Sequence, residues 1–290
     1  MVRTVTAFVA FAMALLAGVG SVLAEQPAPM EIWHQTPGSQ IAADIFWFDK
    51  YTLYFIVPIT LLVMVLLLIV MFRFSKKANP VASKTSHNSL IEVAWTVLPI
   101  VVLVFIALPS FKLLKDQLAP AEEPTMTVKA TGNQWYWSYE YQDEAAISFD
   151  SLMLKEDERE SSGKIDKAAY PRLLAVDNEL VVPVGQMVRV LVTASDVLHS
   201  FAVPSLGFKI DAVPGRMNET WFKAEREGLY YGQCSELCGR DHAFMPIAIR
   251  VVSDDKYTAW KQAAGSDLQG AYRALTASAQ TDGKLKLAAN

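Results

Sequence analysis

Two long apolar runs with a basic stretch between them set the first level of organisation. The run YTLYFIVPITLLVMVLLLIVMF at residues 51–72 carries no charge, and LIEVAWTVLPIVVLVFIALPSF at residues 90–111 carries one acid. Each is long enough to cross a hydrocarbon layer of about 30 Å as a helix. The connecting residues 73–89 hold Arg73, Lys76, Lys77 and Lys84 and no acid. A basic loop of this kind stays in the cytoplasm, so the pattern predicts a two-helix transmembrane hairpin with both its flanks outside. Pro58, Pro99 and Pro109 fall inside the predicted helices, and each removes a backbone donor that a neighbouring helix or polar side chain can offset. A third, shorter apolar stretch opens the chain. Arg3, an apolar core at residues 7–19 and the small-residue pattern Val22-Leu23-Ala24 read as a signal peptide at residues 1–24, with residues 25–50 as an extracytoplasmic segment.

After Pro124 the period changes from helix to strand. TMTVKATG, QWYWSYEY, NELVVPVG, MVRVLVTAS, HSFAVP, ETWFKA, GLYYGQC and PIAIRVVS are short, rich in β-branched and aromatic residues, and punctuated by Gly, Pro, Asn and Asp. In QWYWSYEY the alternation puts Trp135, Trp137, Tyr139 and Tyr141 on one face, with Tyr136 and Glu140 on the other. Many short strands in one stretch predict an antiparallel β-sandwich over residues 112–253. Residues 154–172 are polar and read as an inserted surface loop or short helix. Residues 254–290 read as a helix followed by a frayed tail.

Composition changes this picture in two places. The hydrophobic share of 52% and a positive mean hydropathy agree with lipid contact. The two cysteines, Cys234 and Cys238, lie in one loop, so no disulfide framework is possible. The formal net charge of −4 says little by itself, and nothing points to nucleic acid. Its distribution says more. Residues 116–160 contain eleven acids against Lys129, Lys155 and Arg159, a field able to steer a basic partner towards QWYWSYEYQDE.

The candidate chemistry sits in GLYYGQCSELCGRDHAFMP, together with the distant LHSF. Cys234, Cys238, His242 and Met245 fall within twelve residues, and His199 opens another strand. Thiolate, imidazole and thioether together select copper, whereas zinc prefers four strong ligands and has little use for a methionine. One Cys, two His and a weak Met make a single-copper site. Here a second cysteine stands four residues before the first, and two thiolates on a tight loop can bridge two ions. Each ion then needs one histidine and one weak ligand, which Met245 and a loop carbonyl at Glu236 can supply. The competing reading of the cysteines alone is a disulfide, because the outer face is oxidising.

These motifs carry a resemblance. HNSLIEVAWTVLP, QWYWSYEY, DVLHSFAVPSLGFKIDAVPGR and YYGQCSELCGRDHAFMP make the chain resemble subunit II of the haem-copper cytochrome c oxidases of the bacterial and mitochondrial aa3 type, over residues 45–260. The resemblance implies a cupredoxin-like Greek-key sandwich and a dinuclear copper A centre held by His199, Cys234, Cys238, His242, Met245 and the Glu236 carbonyl. It also implies that the Glu236 carboxylate binds magnesium at the boundary with subunit I, a hard ligand for a hard ion, and that Asp211 supports that region. Trp135 matches the residue that receives electrons from docked cytochrome c. Glu92 matches the mouth of a proton channel, an ionisable group that lipid makes costly. Glu140, Asp143 and Glu144 are the docking acids. Electrons would pass to haem in subunit I, which holds all the haems and reduces oxygen to water with proton pumping. The other implied partners are the remaining oxidase subunits and the bilayer of a bacterial inner membrane, with the N-terminus and the C-terminal domain in the periplasm. A copper-free quinol oxidase subunit would lack the ligand set. A copper-delivery protein would not need QWYW or Glu92, and the dicopper domain of nitrous oxide reductase has no membrane hairpin.

Overall fold

The computed structural model describes residues 24–120, 122–142 and 147–281, in two compact units. All of the expected signal peptide but its last residue lies outside the described residues, as do Asp143 and Glu144.

One unit, residues 43–121, is helical. Helix α1 (Gln40–Arg73) has 34 residues and α2 (Ser89–Leu118) has 30, about 51 and 45 Å at roughly 1.5 Å per residue. Both therefore extend beyond the apolar runs that predicted them. Asn88 caps α2, its Oδ1 accepting from the N–H groups of Leu90 and Ile91 at 3.1 and 3.2 Å. Pro109 deprives the Phe105 carbonyl of its helical partner, and the Tyr51 hydroxyl of α1 donates to that carbonyl at 3.0 Å. A polar side chain on the neighbouring helix thus fills the gap that proline leaves. No residue of α2 is buried, and the apolar side chains of both helices are largely exposed. In water such surfaces would be strongly unfavourable, so lipid or partner helices must cover them.

The other unit is a sandwich of two sheets. One runs β5 (Leu180–Pro183), β11 (Pro246–Val252), β10 (Gly228–Cys234), β7 (His199–Val203), β8 (Phe208–Ala212), with β1 (Ala24–Glu25) added beside β10. The second runs β4 (Ser148–Ser151), β3 (Tyr136–Tyr141), β2 (Met126–Asn133), β6 (Met187–Ala194), β9 (Asn218–Lys223). Burial alternates along β2 and β3 as the period-two pattern requires, with Val128, Ala130, Trp137, Tyr139 and Tyr141 facing inward. The pairing is not wholly antiparallel, contrary to expectation. The chain crosses between the sheets repeatedly, and this sets β2 beside β6 and β5 beside β11 in parallel, as β1 is beside β10.

β5 and β11 are buried along their whole length because their sheet is covered on both faces. Ile247, Ile249 and Val251 join the main core, while Ala248 faces outward with Leu229 and Tyr231. The segment expected at the surface, residues 154–172, supplies the cover: Leu154, Ala169 and Tyr170 close a second small core over them. It also buries charge. Lys164, 1% exposed, pairs at 2.7 Å with an equally buried Glu179, which pairs with Arg250 at 3.0 Å. Helices α3 (Asp254–Ala264) and α4 (Leu268–Thr281) place Trp260 and Tyr272 against the main core, so the tail is packed as far as Thr276.

Candidate metal centre

Three neighbouring strands end where the candidate ligands lie. His199 opens β7, Cys234 closes β10, residues 235–241 loop over the end of the sheet, and Met245 stands just before β11. Two segments 35 residues apart thereby meet at one corner. His199 Nδ1 is 3.8 Å from Cys234 Sγ, and the two sulfurs are 3.9 Å apart. Cys238 Sγ lies 3.4 Å from His242 Nδ1 and 3.5 Å from Met245 Sδ, and Cys234 Sγ lies 3.3 Å from the Glu236 carbonyl oxygen. Both cysteines are free. Their separation is nearly twice the ~2.05 Å of a disulfide, whereas shared cations fit between sulfurs at that spacing.

The electrostatics ask for a cation. Burial works to raise the Cys234 thiol, but hydrogen bonding from His199 and from backbone around Glu236 and Ser200 outweighs it and brings the pKa down to about 6. Burial and then the negative charge of Cys234 push Cys238 up to about 12. A metal ion reverses the second effect, because thiolates that repel each other are both drawn to it. Soft sulfur, two imidazoles, a thioether and a carbonyl fit copper, so the donor set suits the group that the resemblance implies.

Three residues that the sequence reading missed shape this corner. Asp196 Oδ1 lies 3.0 Å from His199 Nε2, which turns the other ring nitrogen towards Cys234. Burial opposes charge on His199, but the Cys234 sulfur and the Asp196 carboxylate outweigh it and raise its pKa. Gly132 of β2 leaves room for the imidazole, since a Cβ there would stand 2.9 Å from the His199 ring. Gly239 (φ +120°) lets the loop pass against Gln134 and Trp135, both 3.1 Å from where its Cβ would be. The signal for Asp196 was present as D-x-x-H in SDVLHS. Gly132 carried none, because its neighbour is 67 positions away.

The remaining predicted residues fall in different places. Trp135 is not on the buried face of β3 but in the turn before it. It is half-buried and donates from Nε1 to the Cys238 carbonyl at 3.2 Å. Trp137, its expected companion, is fully buried against His199 and Phe201. The Glu236 and Asp211 side chains are exposed, Glu236 in the ligand loop and Asp211 on β8 opposite Ser200. Glu140, one of the expected docking acids, is paired across the sheet with Lys129 at 2.7 Å, which offsets its charge locally. Glu92 belongs to the other unit and reaches back to accept from the Asn88 N–H at 3.1 Å, which gives it a helix-capping contact.

Two membrane-capable helices joined to a cupredoxin-like sandwich, with two cysteine sulfurs and an imidazole gathered at one end, define a membrane-anchored protein with a donor group compatible with copper. The family described as cytochrome c oxidase subunit II, periplasmic domain, matches residues 126–252, and its transmembrane domain matches residues 27–113. The chain belongs to the cytochrome c oxidase subunit II family. A probable cytochrome c oxidase subunit 2 of Rickettsia bellii is 49% identical over 237 residues, 82% of this chain and 85% of that one. Cytochrome c oxidase subunit 2 of Cereibacter sphaeroides is 44% identical over 279 residues, 90% and 91% of the two chains. The crystal structure of the periplasmic domain of subunit II of cytochrome oxidase of Bradyrhizobium japonicum is 54% identical, covers 51% of this chain and 98% of that one, and gives a TM-score of 0.45.

Proposed function

We propose that this chain is the electron-receiving subunit of a cytochrome c oxidase in a bacterial inner membrane, with its sandwich in the periplasm. The convergence of six soft and weak donors at one corner of the sandwich carries this reading. Two copper ions held there would supply a one-electron store shared through both sulfurs, the dinuclear copper A centre. Cys234, Cys238, His199 and His242 would hold the ions, with Met245 and the Glu236 carbonyl as the weaker donors. Met245 and both sulfurs are buried, so little water reorganises when charge arrives.

Trp135 receives the electron from reduced cytochrome c, because its indole is partly open to a partner and bonded directly to the backbone of a ligand cysteine. Asp143 and Glu144, with Glu140 in a lesser part, form the negative field that steers the basic donor. Glu236 offers its free carboxylate to a magnesium ion at the subunit I boundary, supported from β8 by Asp211. Glu92 stands at the mouth of a proton channel into subunit I, which holds the haems and reduces oxygen. The test is Trp135→Phe in the assembled oxidase. Oxidation of reduced cytochrome c is expected to fall at least tenfold (about 1.4 kcal/mol in the barrier) while copper content stays unchanged. An unchanged rate would remove Trp135 from the path.

A further inference from the structure

Three consecutive residues of the ligand loop grip one indole. The Cys238 carbonyl accepts from Trp135 Nε1 at 3.2 Å and from Gln134 Nε2 at 2.9 Å. Gly239, at φ +120°, passes close to the ring, where a Cβ would stand 3.1 Å from Trp135 Cζ2. The Arg240 guanidinium covers the ring, 5.4 Å from its centroid, within the ~6 Å range of a cation–π contact. Arg240, whose side chain is 81% exposed, is tethered by its neighbour. Its Nε is 3.1 and 3.2 Å from the two carboxylate oxygens of Asp241, and its Nη2 is 2.8 Å from one of them. A forked pair of this kind fixes the plane of a guanidinium as a single lysine contact does not.

A cation at this position is unfavourable for docking a basic donor, since it faces the side from which the electron is to arrive. Its presence asks for another explanation, and Asp241 provides part of one by cancelling the charge locally. From this arrangement, and resting on the reading of Trp135 as electron receiver, we infer that Arg240 is a positioning residue. Oriented by Asp241, it covers the indole that donates to the Cys238 carbonyl and so favours the geometry that couples Trp135 to the metal centre. In the step it serves, one electron leaves the ferrous haem of the donor, which becomes ferric. That electron would pass by way of Trp135 to the copper that the corner's residues would hold, and no bond forms or breaks.

The test uses the double variant Arg240→Gln, Asp241→Asn, which removes the clamp without changing net charge, so that steering of the donor is preserved. The first readout needs no copper. In the full chain in detergent micelles, hydrogen exchange of the Trp135 indole N–H, identified by its loss in Trp135→Phe, is expected to quicken about two- to fivefold, the bias that an exposed cation–π contact gives a two-state opening. In the assembled oxidase, the double variant should lower the maximal rate of cytochrome c oxidation and leave KM unchanged, while Arg240→Lys should give an intermediate rate. Unchanged indole exchange would overturn the clamp, as would a change confined to KM. An unaffected rate in Trp135→Phe together with quickened exchange in the double variant would instead overturn the electron-receiving role and leave the clamp as a structural contact.

Discussion

At the scale of single residues, the geometry of the corner depends on how His199 is aimed. Its ring is 0% exposed, so the imidazole cannot swing to solvent, and Asp196 fixes which nitrogen looks at Cys234. Asp196 also accepts from the backbone of Gln134 at 2.7 Å and of Val197 at 2.6 Å, which makes it a rigid post. Asp196→Asn keeps the shape but loses the charge that orients the ring. Copper affinity, read by competition with a chelator, is expected to fall about 10- to 100-fold, the usual effect of removing a carboxylate behind a ligand histidine. Unchanged affinity would mean that packing against Trp137 suffices to hold the ring. The candidate ligands could be picked out in the sequence because five of them carry side chains found together for few other purposes. The residues that aim them could not, since an aspartate in a turn and a glycine in a strand are ordinary until the fold brings His199 alongside.

At the scale of elements, two pieces of physics act in different solvents. In the helical hairpin, Tyr51 satisfies the carbonyl that Pro109 leaves unpaired. Tyr51→Phe should lower the stability of the hairpin in bicelles by about 0.6–2 kcal/mol, the range for hydrogen bonds between membrane helices, and no change would mean that the carbonyl finds another donor. In the sandwich, residues 154–172 read as surface because Lys, Asp and Glu are seldom buried. The structure instead draws Lys164 inward to meet Glu179 and Arg250, with Tyr170 donating shape to the small core and its hydroxyl 3.0 Å from Arg250.

Burial alone would raise the Glu179 carboxyl, but Arg250 and Lys164 outweigh it and hold it below the ordinary range. A group lowered in the fold stabilises it above the unfolded value. That stabilisation is complete above about pH 4.5 and is lost as pH falls through the lowered folded value. Glu179→Gln mimics the acid limit by leaving two buried cations unpaired, and should cost about 3–5 kcal/mol at neutral pH in thermal or denaturant unfolding. The variant should also lose the part of the acid dependence that Glu179 contributes. A variant as stable as the parent would show that the cluster is relaxed by water.

At the scale of the whole molecule, the division into a lipid-facing hairpin and a strand-rich domain was legible from period alone. Residues 51–72 and 90–111 lie within the two long helices, and the aromatic alternation of β3 holds from Trp137 onward. The order of strands was not legible, because an alternating face says which side is buried and not which strand lies beside it. Parallel partners such as β2 and β6 therefore had no local signature. Trp135 shows the same limit on a smaller scale: the alternation counted it with Trp137, yet the strand begins one residue later and the indole reaches the ligand loop instead. The family match over residues 126–252 takes in the corner of soft donors, and the chemistry of those donors agrees with it.

The claim on which the rest depends is that Cys234 and Cys238 share two copper ions. The most direct measurement is copper content together with the electron paramagnetic resonance spectrum of the full-length chain in its assembled oxidase, isolated without reductant. Two copper ions in this subunit and a spectrum of one unpaired electron spread equally over both nuclei are expected. One copper with a single-ion spectrum, or no copper with the two sulfurs bonded to each other, would contradict it.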